Sequence, residues 1–265
     1  MALRSALINA MANAARKAAR GLLRDFNEVE HLQVSRKGPA DFVSAADRKA
    51  EKTLQAELAK LRPDFGFIME EGGRIEAKDG RSYWIIDPLD GTTNFLHAIP
   101  HFAISVAVQR DDELVAGMIL DVARDELFWA EKNAGAFHNE RRLRVSVRRK
   151  LADSVVATGI PFHGRPGHTE FRQELAAVMP EVAGIRRFGA AALDLAYVAA
   201  GRFEGFWERG LAPWDIAAGI VLVREAGGIV TDLAGGSGMM QSGDILATND
   251  AMHTPLMKLL QPPRT

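Results

Sequence analysis

Apolar residues near the N-terminus recur every three or four positions: Leu7, Met11, Ala15, Ala18 and Leu22. That spacing puts them on one face and predicts an amphipathic helix. A polar stretch around Ser35-Arg36-Lys37-Gly38-Pro39 follows, and its Gly and Pro predict a mobile loop. A second helix is predicted over 44–61, with Ala46, Ala50, Leu54, Leu58 and Leu61 as its buried stripe and Pro63 preventing its continuation. The pattern then turns to short apolar runs with aromatic and β-branched content. Strands are expected over 65–69 and 83–86, a hairpin over 102–109 and 114–120 around the turn Arg110-Asp111-Asp112-Glu113, and a further strand over 126–130.

The second half alternates. Strands are predicted over 155–158, 203–207, 229–231 and 245–248, and helices over 170–178, 190–200 and 214–226, with a short helix at the end. Gly227-Gly228 suits a helix C-cap followed by a turn. Gly235-Gly236-Ser237-Gly238 reads as a surface loop and does not match a phosphate-binding glycine motif. No repeat recurs at a solenoid period and no long linker interrupts the chain. Hairpins mixed with interleaved helices predict a layered α/β or α+β architecture in one domain over 1–265, with halves of about 1–145 and 146–265.

Composition narrows the function. The chain has 265 residues, 47% apolar and 25% charged, ordinary for a soluble globular protein. Lys plus Arg is 33 and Asp plus Glu is 34, so the formal charge of −1 offers no global attraction to nucleic acid or an anionic membrane. The local basic run Arg141-Arg142-Leu143-Arg144 and Arg148-Arg149-Lys150 reads as a solvated face. Without cysteine there is no disulfide, thiolate nucleophile or Cys-based zinc site, and a cytoplasmic location is expected. The first 25 residues lack the continuous apolar core of a signal peptide, and no apolar run is long enough for a transmembrane helix.

The chemistry concentrates in Trp84-Ile85-Ile86-Asp87-Pro88-Leu89-Asp90-Gly91-Thr92-Thr93-Asn94-Phe95. A strand is expected to end at Asp87, with Pro88 stopping the ladder and Thr92 and Thr93 opening a helix. Two carboxylates so close repel unless a proton or cation sits between them, and Mg²⁺ takes such oxygen ligands together with substrate phosphate. The amides after Gly91 would form an anion site at a helix N-terminus. The plainer alternative is that Asp87 and Asp90 only cap turns. Other chemistries fail on spacing. His97 and His101 are four apart but Pro100 breaks the helical face, and there is neither a serine-hydrolase elbow nor a P-loop.

This string resembles the signature of the inositol monophosphatases, lithium-sensitive and magnesium-dependent. Three further motifs resemble the family in the same order: Asp41-Phe42-Val43-Ser44-Ala45-Ala46-Asp47, Glu70-Glu71-Gly72, and Trp214-Asp215-Ile216-Ala217-Ala218-Gly219 with Glu225-Ala226-Gly227-Gly228. Each has a plain reading alone: Asp47 in a capping box with Ser44, Glu70 and Glu71 as solvated charges, Asp215 as an acid favoured in a helix's first turn. The resemblance implies an alternating α-β-α-β-α sandwich and two to three Mg²⁺ ions. One would be held by Glu70, Asp87 and the Leu89 carbonyl, a second by Asp87, Asp90 and Asp215, and a weaker third near Glu70. Thr92, bonded to Asp47, would orient the attacking water, and the amides of Gly91 and Thr92 would hold the phosphate. Asp90, Gly189, Ala190, Ala191, Asp215 and Glu208 would contact the substrate, a small phosphate monoester for which Glu208 favours inositol. The resemblance further implies a homodimer and a basic residue in the mobile loop, a place that Arg36 and Lys37 both fit.

Three alternatives stand beside that reading. One is a related phosphatase acting on histidinol phosphate or another sugar phosphate. Another is an aspartyl-phosphate phosphatase, although that chemistry wants Asp-x-Asp where this chain has Asp87-Pro88-Leu89-Asp90. The third, of a different class, is a protein that contacts the transcription machinery.

Overall fold

The computed structural model describes residues 4–28, 34–38 and 41–261, and for 34–38 and 41–44 the backbone alone. Helix α1 (Ala6–Phe26) begins at Ser5, whose hydroxyl accepts the Ile8 amide at 3.1 Å and so satisfies one of the open N-terminal donors. Strands β1 (Val34–Gly38) and β2 (Asp41–Ser44) pair as an antiparallel hairpin. The predicted loop is therefore strand over much of its length. The choice between Arg36 and Lys37, and the Ser44 side of the capping box, lie outside the described side chains. Helix α2 (Ala45–Leu61) buries its predicted Ala46, Ala50, Leu54 and Leu58, and on that side also buries Asp47 and Glu51.

Strands β3 (Gly66–Met69), β4 (Gly73–Ile75), β5 (Ser82–Asp90), β6 (Ala103–Arg110), β7 (Glu113–Asp121), β8 (Glu126–Glu131), β9 (Gly135–His138) and β10 (Arg141–Arg142) form one sheet in the order β10-β9-β8-β7-β6-β5-β3-β4. Only the β3–β5 pair is parallel. Short helix α3 (Thr92–Leu96) follows β5 directly.

A second sheet combines β11 (Val155–Thr158), β12 (Gly184–Arg186), β13 (Gly205–Glu208), β14 (Ile229–Thr231) and β15 (Ile245–Thr248) in the order β12-β11-β13-β15-β14. Around it lie α4 (His168–Val178), α5 (Ala191–Ala199), α6 (Pro213–Glu225), the single-turn α7 (Met239–Ser242) and α8 (Asp250–Leu260).

Strand alternation sorts the side chains into three cores. Trp84 and Ile86 of β5 join Ile104, Val106 and Val108 of β6 beneath α1 and α2, while Ile85, Ala103 and Ala107 turn the other way onto α5 and α6. In the second sheet Ala157, Phe206 and Ala247 pack on α5 and α6, and Val156, Trp207 and Leu246 pack on α4 and α8. The layers thus run helix, sheet, helix, sheet, helix, the sandwich that the resemblance implied. Close approach holds the middle layer: a Cβ on Gly117 would stand 2.6 Å from the Ala218 carbonyl oxygen, and one on Gly219 would stand 2.4 Å from Leu195. Helix α6 closes in a Schellman motif, Gly228 amide to Val223 carbonyl and Gly227 amide to Arg224 carbonyl, with Gly227 at φ +87° as the predicted cap.

Candidate active site

The expected stop at Pro88 is corrected by the structure. Strand β5 continues to Asp90, and its pairing with β6 shifts: Asp87 lies opposite Ser105, but Asp90 lies opposite Ala103. Three residues advance on one strand against two on the other, so Pro88 and Leu89 sit in a bulge. A bulge tolerates a residue without an amide hydrogen, and it breaks the strict alternation that would send side chains three apart to opposite faces. Asp87 and Asp90 consequently border the same cleft. Asp87 Oδ1 accepts the Leu89 amide at 2.9 Å, which ties the bulge down.

Neighbouring elements bring the other acids. Because β3 and β5 are parallel, Met69 pairs with Ile86, and Glu70 follows with its amide donating to the Ile86 carbonyl at 3.3 Å. Glu70 and Asp87 therefore leave adjacent strands at the same end. Asp215 sits in the first turn of α6, and its Oδ2 accepts the Ala212 amide at 2.7 Å. Ser105, opposite Asp87, donates its hydroxyl to the Trp214 carbonyl at 3.2 Å and docks the start of α6 against the bulge.

Past the bulge, Gly91 takes φ +92° and caps α3, and a Cβ there would come within 3.0 Å of the His101 carbonyl oxygen and 3.4 Å of Ala190. The Thr92 hydroxyl stands 3.2 Å from Asp47 Oδ1 and 3.0 Å from the Leu89 carbonyl, and its one hydrogen serves one of them at a time. Asn94 donates to the carbonyls of His101, at 2.9 Å, and Phe188, at 2.8 Å, and so links α3 to the segment before α5. Asp90 Oδ2 accepts the Ala192 amide at 2.8 Å in the first turn of α5.

The cleft, about 280 Å³, is bordered by Glu70, Asp87, Leu89, Asp90, Gly91, Thr92, Gly189, Ala190, Ala191, Glu208 and Asp215. Every predicted site residue is there except Asp47, which is fully buried behind Thr92. Sequence reasoning missed Gly159, Arg165, Arg187 and Leu211. Gly159 could have been found, since Gly-Ile-Pro follows a predicted strand end. A Cβ on Gly159 would stand 1.9 Å from the Glu208 carboxyl, so this glycine opens the space that Glu208 occupies. Also missed was Asp194 of α5, buried with Oδ1 lacking a hydrogen-bond partner among the described residues.

Burial, and then the charges of Glu70, Asp90 and Asp215, raises the Asp87 carboxyl well above the usual carboxylate range. Burial, then Asp215, does the same to Asp90, opposed by the Ala192 amide. Glu208 is pushed up to about 8 by burial and Asp215, with Arg187 and Arg165 opposing. Among the described residues no three acidic or histidine side chains already stand in a closed metal cage. What the cleft offers is an all-oxygen donor set whose buried carboxylates need positive charge to ionise. That chemistry fits a hard divalent cation.

Similarity to known proteins covers the whole architecture. The chain matches the inositol monophosphatase family over residues 3–262. It is 56% identical over 260 residues to an inositol-1-monophosphatase of Mesorhizobium japonicum, with 98% of each chain covered. It is 43% identical over 260 residues to the Nus factor SuhB of Pseudomonas aeruginosa, covering 97% of this chain and 96% of that one. The crystal structure of the extragenic suppressor protein suhB from Bartonella henselae superimposes with a TM-score of 0.95 at 56% identity, over 98% of this chain and 100% of that chain. With the two-sheet sandwich and the acidic cleft already in place, this chain belongs to the inositol monophosphatase family.

Proposed function

We propose that the protein hydrolyses the phosphate monoester of inositol or a similar small polyol, using divalent metal ions. The observation that carries this reading is the meeting of Glu70, Asp87, Asp90 and Asp215, from the end of β3, the β5 bulge and α6, at one cleft that Glu208 also borders. Glu70, Asp87, the Leu89 carbonyl, Asp90 and Asp215 would hold two to three Mg²⁺ ions, which when bound neutralise phosphate charge and acidify a water. With Asp47 accepting its hydrogen, the Thr92 hydroxyl keeps its lone pairs for that water and so orients it. The amides of Gly91 and Thr92 cradle the phosphate. Glu208 accepts hydrogen bonds from ring hydroxyls, while Ala190 and Ala191, lacking larger side chains, leave room for the ring.

Several further properties belong to this proposal: one functional domain with halves near 1–145 and 146–265, a homodimer, a cytoplasmic site of action and inhibition by lithium. No helix among the described residues is long and apolar enough to cross a membrane. The deciding experiment is metal-dependent phosphate release across inositol, sugar and histidinol phosphates. Preferred turnover of inositol phosphate supports the reading, and a far higher kcat/KM for histidinol phosphate replaces its substrate.

The name of the Nus factor relatives favours a second reading, contact with the transcription machinery. Retention of RNA polymerase by an Asp87→Asn variant would support it independently of catalysis.

A further inference from the structure

Beside the acidic cleft lies a larger cavity of about 610 Å³ that the proposed chemistry leaves unused. The two spaces share Gly159, Ile160, Phe162, Arg165 and Glu208 along their border. On the phosphatase reading a phosphorylated polyol would fill the smaller space, and Glu208 borders the larger one as well. Its volume lies in the middle of the range of small-molecule pockets.

The walls specify the chemistry of an occupant. Half-buried Phe162 and Pro161 and exposed Pro166 contribute apolar surface over a floor made by the buried side chains of Phe171 and Trp207, and Ile160, 43% exposed, stands at the border. Arg209, Glu174 and Asp244 of the wall engage one another, while Glu170 and Glu208 add carboxyls to it. Arg209 donates to Glu174 at 2.6 Å and to Asp244 at 2.9 Å, and the Trp207 indole donates to Glu174 at 3.2 Å. Arg165 donates to the Gly210 carbonyl at 3.0 Å, and its guanidinium lies 4.4 Å from the centre of the Phe162 ring. A guanidinium held over an aromatic face forms a plane on which another flat ring stacks. The carboxyls of Glu170, Glu174, Glu208 and Asp244 in the wall disfavour a second phosphate, and the surfaces of Phe162, Pro161, Pro166 and Ile160 suit an apolar planar ligand.

We infer that this cavity is a subsite for an aromatic or heteroaromatic ring carried by the leaving alcohol, so that the enzyme accepts aryl-substituted alkyl phosphates besides polyol phosphates. The inference rests on the phosphatase reading of the adjoining cleft. The reaction is unchanged: a water oxygen forms the new bond to phosphorus, the ester P–O bond breaks, and the departing alcohol takes a proton.

The test compares ethyl phosphate with 2-phenylethyl phosphate, with inositol 1-phosphate as reference, all in magnesium buffer. The ring should raise kcat/KM about tenfold over ethyl phosphate, mostly through KM, which corresponds to about 1.4 kcal/mol. The matching non-hydrolysable phosphonates, measured by calorimetry, should show the same gain in Kd. Glu170 is exposed on the first turn of α4 and lines the cavity but not the cleft. Glu170→Trp should cancel the gain from the ring and leave inositol phosphate turnover unchanged, and Glu170→Ala should keep the gain. Equal kcat/KM for the two alkyl phosphates, with inositol phosphate still turned over, overturns the subsite alone. Equal loss of every substrate in Glu170→Trp also overturns it. No turnover of any substrate overturns both the subsite and the phosphatase reading.

Discussion

The Asp90 carboxylate accepts the Ala192 amide at 2.8 Å, across 102 positions of sequence. One acid of the bulged strand therefore holds the N-terminus of α5, the helix whose leading residues Ala190 and Ala191 border the cleft. The same carboxylate both serves the helix terminus and borders the cleft. Removing its charge should separate these duties. In Asp90→Asn the amide oxygen can still accept from Ala192, and a buried carboxyl that is costly to ionise is gone. We expect activity to fall at least ~100-fold, as expected for a damaged metal site, while the melting temperature at pH 8 without metal stays equal or rises. A large drop in melting temperature would mean that the charge itself holds α5.

Asp87 is expected to be the most sensitive position. The resemblance makes it the acid shared between two metal ions, and Asp87→Asn keeps an acceptor for the Leu89 amide. Turnover should fall by ~1,000-fold or more, on the scale of removing one essential electrostatic contact in a transition state, with an unaltered circular dichroism spectrum. A variant with normal turnover would remove Asp87 from the mechanism.

Much of this arrangement was legible in the sequence, for identifiable reasons. The periodic stripes of α1 and α2 follow local rules, so their extents agree with the structure to within a few residues. The expected limits of β11, β14 and β15 agree as well, because turn residues bound each apolar run. Strands β1, β2, β4, β9, β10 and β12 were missed: each is five residues or fewer, and partner strands hold them rather than any pattern of their own. The bulge was invisible because it is a relation between β5 and β6, and Pro88 read alone signals a stop. Arg165 and Arg187 carry no local signal, and only the packing of the second half brings them to the cleft.

Stability should depend on pH and metal together. Glu208 has an ordinary value of 4.5 and is pushed up to about 8 in the fold, and Asp87, Asp90 and Asp194 are raised in the same direction by burial. A carboxyl that binds its proton more tightly when folded favours the folded state at low pH. Between the two values the unfolded chain holds fewer protons, so stability falls as pH rises. In chelator, melting temperature should decline from pH 5 to pH 8, by about 2–4 °C for each kcal/mol lost. Mg²⁺ competes with those protons, so its stabilising effect should be larger at pH 8 than at pH 6. A metal shift independent of pH would contradict binding at these carboxylates.

Glu51 should act as a positioning residue for the Glu70 turn. It lies one helical turn beyond Asp47, is 6% exposed, and accepts the Glu71 amide at 2.9 Å. A Cβ on Gly72 would meet its Oε1 at 2.9 Å, so the turn is folded around this carboxylate. Helix α2 thus supports Thr92 through Asp47 and the Glu70 segment through Glu51. Glu51→Ala should raise the Mg²⁺ concentration for half-maximal activity about tenfold, the range for residues that orient metal ligands, and Glu51→Gln should recover part of the loss. An unchanged magnesium requirement with only lower thermal stability would make Glu51 structural.

Glu208 and Gly159 should decide substrate preference as a pair. The carboxyl fills the space where a side chain on Gly159 would stand, 1.9 Å from its carbon. With Glu208 accepting hydroxyl hydrogens from the polyol, Glu208→Ala should raise KM for inositol phosphate about tenfold, the upper scale of one lost hydrogen bond. It should leave KM for p-nitrophenyl phosphate, which has no such hydroxyls, within about twofold, well under the ~1.4 kcal/mol of a tenfold effect. Gly159→Ala leaves the carboxylate in the chain but forces it to move, so it should reproduce the same selective rise in KM. Equal effects on both substrates would show that Glu208 supports the fold of the cleft rather than reading the alcohol.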